Sequence, residues 1–144
     1  MLRPVFRAGD TYAIDPDIGR EDALAYWCGA DHGTFLAGED GTPLGSYYLK
    51  TNQPGGGAHV CNCGFVTAPA ARGKGVARAM LDHALTTARA AGFRAMQFNF
   101  VVATNTRAID TWTRAGFATV GRLPGAFRHP QKGYVDALVM YRRL

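Results

Sequence analysis

The chain has 144 residues, 47% of them hydrophobic and 19% charged, with a net charge of +5. A chain of this length folds around one core and buries about 70% of its unfolded surface without disulfide or metal staples, so residues 1–144 are expected to form a single domain. The composition excludes wholesale disorder, and no run reaches the roughly 18 apolar residues of a membrane helix.

The opening Met1-Leu2-Arg3-Pro4-Val5-Phe6-Arg7 has no signal-peptide apolar core, so a cytoplasmic location is expected. Cys28, Cys61 and Cys63 are an odd set, read as free thiols. The positive charge favours an anionic partner. It is spread thinly apart from Arg72 to Arg78 and Arg142-Arg143, which suits a small phosphorylated ligand better than nucleic acid.

In chain order, residues 3–7 read as a first short strand, and Asp15-Pro16 opens a short helix carrying Ala23, Leu24, Tyr26 and Trp27. Thr34 to Leu49 reads as a hairpin turning at Asp40-Gly41, and Asn52 to Gly57 as a surface loop. His59 to Thr67 is a strand. Val76 to Ala91 is a helix with Val76, Met80, Leu81, Ala84, Leu85 and Ala88 on one face, stopped by Gly92.

Ala95 to Ala103 alternates Met96, Phe98, Phe100 and Val102 against Gln97, Asn99 and Val101, a strand with one apolar face and one semi-polar face that could line a cleft. Asn105 N-caps a second clear helix that ends at Gly116-Phe117. Strands at Phe117 to Leu123 and Tyr134 to Tyr141 follow, joined by a Pro124 to Gly133 loop. The order predicts an α/β fold with a mixed sheet.

The chemistry concentrates between strand and helix, at Ala68-Pro69-Ala70-Ala71-Arg72-Gly73-Lys74-Gly75-Val76-Ala77. Glycine at 73 and 75 lets a ligand approach the backbone, the helix start offers unpaired N–H donors, and Arg72 and Lys74 add positive charge. Such a loop suits a pyrophosphate. A P-loop is excluded because the upstream glycine spacing and a Ser or Thr after the lysine are missing. A dinucleotide fingerprint fails because Arg78 stands where its third small residue belongs.

Arg72-Gly73-Lys74-Gly75-Val76-Ala77 matches the [QR]-x-x-G-x-[GA] signature of the GCN5-related N-acetyltransferase (GNAT) family, which this sequence resembles. Pro69 upstream, and Asn105-Thr106-Arg107-Ala108-Ile109 through Gly116-Phe117 downstream, are similar to that family's flanking motifs, so the resemblance spans roughly residues 58 to 120. It implies a mixed, mostly antiparallel sheet of six to seven strands flanked by helices and splayed between the fourth and fifth strands. It also implies acetyl-CoA as co-substrate. Backbone groups of Arg72, Gly73, Lys74, Gly75, Val76 and Ala77 would hold its pyrophosphate. Phe65, Val66 and Thr67 would offer an N–H to the thioester carbonyl, and Asn105 and Arg107 would contact the pantetheine and a phosphate. The acceptor would be an amine-bearing small molecule or peptide.

The pattern departs from the family at two positions. Trp112 stands where a tyrosine acid is frequent, and Cys61 near where many members carry a carboxylate base. His59, Tyr134 or water are therefore the candidate proton carriers. Simpler readings stand beside these. Asn105 is an N-cap whatever else it does. His59, Cys61 and Cys63 alternate along one strand too widely to close a tetrahedral site, so no metal is expected. Tyr26, Trp27, Tyr47 and Tyr48 could line an acceptor pocket, though aromatics at these spacings more often fill core or interface, which would permit a homodimer. The leading expectation is an N-acetyltransferase, with a non-catalytic acyl-CoA binding or sensing domain as its rival and a basic nucleic-acid binder behind both.

Overall fold

A computed structural model describes residues 1–144. Helices α1 (Leu2–Ala8) and α2 (Arg20–Trp27) come first, followed by strands β1 (Gly33–Glu39), β2 (Thr42–Thr51) and β3 (Val60–Thr67). Then follow α3 (Val76–Ala90), β4 (Ala95–Val102), α4 (Thr106–Arg114), β5 (Ala118–His129) and β6 (Gly133–Arg143). The six strands form one sheet in the order β1-β2-β3-β4-β6-β5. All neighbours are antiparallel except β3 and β4.

The parallel pair is short. Val60, Cys61 and Asn62 pair with Ala95, Met96 and Gln97, and beyond these the two strands diverge. The splay expected between the fourth and fifth strands therefore lies between β3 and β4, because residues 3–7 form no strand, in a sheet at the lower end of the expected strand count.

Each sheet face has its own core. On one face α3 and α4 cover Tyr47, Leu49, Cys61, Cys63, Met96, Phe98, Leu138 and Met140. Met80, Leu81, Ala84, Leu85 and Ala88 of α3 are buried there, as helical spacing requires. Each large apolar side chain so buried contributes about 1.5–3 kcal/mol. On the other face Phe6, Trp27, Tyr48 and Val66 form a smaller cluster beneath α1 and α2. Trp27 donates its indole N–H to Ser46 Oγ at 2.8 Å, and Ser46 donates onward to the Phe35 carbonyl at 2.9 Å.

Three expectations are corrected. Residues 3–7 lie in helix α1, not a strand: Leu2, Val5 and Phe6 share a face at i, i+3, i+4 spacing, and the Gly9 N–H closes on the Phe6 carbonyl at 3.1 Å. The Pro124 to Gly133 loop is mostly strand. β5 runs on to His129, and Pro124 falls inside the register shift between Leu123 and Phe127 on an edge strand, where a missing donor is tolerated. Finally, β4 does not alternate throughout. A register shift between Phe98 and Val101 turns Val101 into the core and leaves Asn99 exposed.

Candidate active site

A cavity of about 700 Å³ opens at the splay and is lined from both faces of the sheet. Its first wall is the loop between β3 and α3. A 3₁₀ turn at Pro69–Ala71 leads into Gly73 and Gly75, with φ of +80° and +77°. These are left-handed values that L side chains resist. The amides of Ala71, Arg72 and Lys74 are satisfied within the loop, whereas those of Gly73, Gly75, Val76, Ala77 and Arg78 donate to no protein acceptor. All five lie at the positive end of the α3 dipole. A Cβ on Gly75 would meet nothing within 4 Å, and one on Gly73 would come 3.8 Å from the Arg107 guanidinium. The loop is thus an open concave row of donors with Arg72, Arg78 and Arg107 around it.

The second wall is the free edge of β3. Ala68 donates to Leu44 of the β2 side and Val60 accepts from Asn52, while the His59 carbonyl accepts from Arg94 just before β4. Alternate residues of a strand point their amides to opposite neighbours, so the N–H of Phe65 faces the splay. Its carbonyl accepts from the Tyr12 hydroxyl at 2.9 Å, which ties the segment after α1 across the gap. Opposite stand Phe98 and Trp112, with ring centroids 4.9 Å apart and Phe65 at 5.1 Å from Trp112. Asn105 caps α4 by accepting from Ala108 N–H at 3.3 Å and also lines the cavity.

The third region lies on the α1/α2 face. Here Asp10, Tyr12, Tyr26, Tyr48, Lys50, Asn62 and Asn99 line the cavity. Tyr48 donates to Asn62 Oδ1 at 3.3 Å, and Asn62 donates to the Gln97 carbonyl at 2.9 Å at the point where the strands part. Gly64 makes room for this. A Cβ there would fall 2.8 Å from Tyr48 Cζ and 3.0 Å from its hydroxyl. Burial pushes the Tyr12 and Tyr48 phenols well up, so both remain protonated donors.

Of the residues singled out in the sequence, Phe65, Val66, Thr67, Arg72, Gly73, Gly75, Val76, Ala77, Asn105 and Arg107 come together around this cavity. Lys74, His59 and Tyr134 are not among its lining residues. Lys74 is exposed on the loop, His59 is exposed just ahead of β3 at the end away from the splay, and Tyr134 is 76% exposed on β6. Cys61 is buried and its thiol donates to the Ala95 carbonyl at 3.4 Å. Burial pushes that thiol up to about 12 and raises Cys63 as well, which keeps both protonated and leaves no thiolate to take up a proton. Asn99, on the strand face expected to line a cleft, does line it, whereas sequence reasoning missed Asp10, Tyr12, Lys50 and Asn62. They come from separate segments, and only the splay gives them a common neighbour.

The acetyltransferase (GNAT) family model matches residues 6–117. Among curated proteins, N-acetyltransferase aca1 of Schizosaccharomyces pombe is 40% identical over 97 residues, 67% of this chain. The match covers 46% of that protein, so the chain spans about half the length of this relative. Among solved structures, a GCN5-related N-acetyltransferase from Kribbella flavida superposes with a TM-score of 0.93 at 46% identity, covering 99% of this chain and 87% of the other. A GNAT superfamily phosphinothricin acetyltransferase from Sinorhizobium meliloti, solved in complex with AcCoA, shares the fold with a TM-score of 0.84 at 22% identity, covering 99% of this chain and 78% of the other. The glycine loop, the splayed parallel pair and the matched span agree: the chain belongs to the acetyltransferase (GNAT) family.

Proposed function

We propose that residues 1–144 form one acyltransferase domain and that it is an acetyl-CoA-dependent N-acetyltransferase, passing acetyl directly to an amine of a small molecule or peptide. The observation that carries this reading is the cavity that runs from the row of unpaired amides at Gly73 to Arg78, past the inward N–H of Phe65, to the opposite face of the sheet.

The residues fit the coenzyme. Free amides at Gly73, Gly75, Val76 and Ala77 suit a pyrophosphate, Arg72 and Arg107 supply counter-charge, and Lys74 adds long-range attraction from the loop surface. Val66 and Thr67 continue the strand edge towards the loop, and Asn105 faces them across the gap. Acetyl-CoA, when bound, supplies a thioester carbonyl to which the amine nitrogen bonds as the C–S bond breaks. The Phe65 N–H is aimed into the splay, where it donates to a carbonyl oxygen that gains negative charge. Trp112 and Phe98 exclude water from the neighbouring wall.

With His59 and Tyr134 away from the cavity lining, the proton leaving the amine passes to solvent, and a thiolate of pKa near 8.5 departs without a side-chain acid. Proximity and a polarised carbonyl supply the acceleration. The decisive experiment is titration with acetyl-CoA at low salt, followed by thiol release against a panel of amines and peptides. Binding with acceptor-dependent release is expected. Binding without turnover on a broad panel replaces this reading with the acyl-CoA sensor, and no binding overturns both.

A further inference from the structure

We propose that the end of the cavity on the α1/α2 face takes a small aminocarboxylate, with the carboxylate paired to Lys50 and the ammonium facing Asp10. The inference rests on the transfer reading for naming this occupant the acceptor. Lys50 is half-buried, in contrast to the exposed Lys74 and Lys132, and its ammonium lies 6.0 Å from the centroid of the Tyr48 ring. It makes no ion pair: the salt bridges of the molecule are His32 with Asp31, Arg78 with Asp82, and Arg122 with Asp136. A cation withdrawn from water without a counter-charge is a standing site for an anion.

That anion is not the coenzyme's phosphate. Lys50 pairs with Asn62, where β3 and β4 part, whereas the glycine loop follows Thr67. Five strand residues separate the two levels, about 17 Å. Lys50 also lies on the same face of β2 as Tyr48, the face covered by α1 and α2, while α3 and the loop cover the other. The anion that Lys50 takes is therefore a separate one.

Asp10 supplies the complementary charge. It is the one carboxylate among the residues lining the cavity, is half-buried, and has neither a salt bridge nor a hydrogen-bonded partner. It sits two residues before Tyr12, whose hydroxyl holds the Phe65 carbonyl, and it lines the same cavity as Phe65. A ligand with its ammonium there and its carboxylate towards Lys50 presents its nitrogen next to the carbonyl-binding edge. Val5, Tyr26 and Phe100 give the remaining wall an apolar character, which suits a short hydrocarbon body between the two charges.

The test is calorimetric and independent of turnover. Each of the twenty encoded amino acids is titrated into the full chain with coenzyme A present, alongside its own carboxamide, which keeps the amine and loses the negative charge. At least one acid is expected to bind tenfold or more tightly than its amide. Lys50→Met should reduce that ratio to below threefold, Lys50→Arg should preserve it, and Asp10→Asn should weaken the acid and the amide alike. Circular dichroism confirms that each variant is folded. The proposal is overturned if no acid outbinds its amide, or if the preference survives Lys50→Met. A preserved preference with no thiol release would instead remove the transfer reading and leave this site standing.

Discussion

Gly64 shows how much of the site depends on what a side chain does not occupy. The Tyr48 ring lies across β3 only because position 64 carries no Cβ, and the Tyr48 hydroxyl reaches Asn62 as a result. Gly64→Ala should force the ring aside, break that hydrogen bond and destabilise the fold by about 1–3 kcal/mol, the usual cost of overpacking, as read from urea unfolding. At the loop the constraint is conformational. Gly75→Val places a β-branched residue at φ +77°, although a Cβ there meets no atom. It should weaken acetyl-CoA binding by more than tenfold in calorimetry, because the added side chain stands over the unpaired amides, and the strained backbone should cost about 1–3 kcal/mol in urea unfolding while circular dichroism shows the fold retained. Arg72→Glu should weaken binding as well, with a loss that shrinks at high salt. Equal affinity in both variants would remove the loop from the coenzyme site. For the proton path, His59→Ala and Tyr134→Phe should leave both the rate and its pH profile unchanged, since neither side chain lines the cavity.

At the level of elements, the pieces that were legible in the sequence carry their own signals. α3 has its apolar stripe, α4 its Asn105 cap, and the β1–β2 hairpin its Asp40-Gly41 turn. The misread pieces are those in which a local signal competes with a tertiary one. α1 is only 7 residues long, so Val5 and Phe6 fit a strand as well as a helix until Gly9 is recognised as a cap. β5 carries Pro124 and Gly125, which read as loop residues, yet the Gly125 N–H donates to Asp136 Oδ1 at 2.9 Å and Arg122 reaches Asp136 Oδ2 at 2.6 Å. One carboxylate on β6 thus holds the irregular part of β5 in the sheet. The Gly125 N–H, and then Arg122, keep its pKa below the ordinary 3.8. A carboxyl lowered on folding contributes stability above its unfolded pKa and loses it as pH falls through the folded one. Asp136→Asn should therefore be less stable than the parent at pH 7, and the gap should close on acidification below about pH 4, as followed by denaturation across pH.

For the molecule as a whole, the glycine loop was readable because a phosphate cradle is built from adjacent residues, whereas the α1/α2 end of the cavity was readable only in Asn99, Tyr26 and Tyr48, because it is assembled from the α1–α2 connection, β2, β3 and β4. Asp10 and Lys50 carry no local mark in the sequence; only the order of the strands makes them neighbours of one cavity. The cysteines report on the integrity of the same architecture. Cys28 is exposed while Cys61 and Cys63 are buried, and burial raises both buried thiols. In the native protein a thiol reagent should modify Cys28 quickly and the other two only as the fold opens. Groups raised in the fold contribute fully below their unfolded pKa and lose that contribution as pH climbs through the folded value, so for Cys61 stability should decline from about pH 9 towards about 12.

The gap between β3 and β4 also bears on the order of events. Because it is open to both faces of the sheet, one reactant can arrive from the α3 side while the other arrives from the α1/α2 side, and neither blocks the other's doorway. On the direct-transfer reading proposed above, both are present together before anything leaves. Initial-rate lines at varied concentrations of the two should intersect rather than run parallel, and a covalently acetylated protein should not accumulate when the amine is withheld.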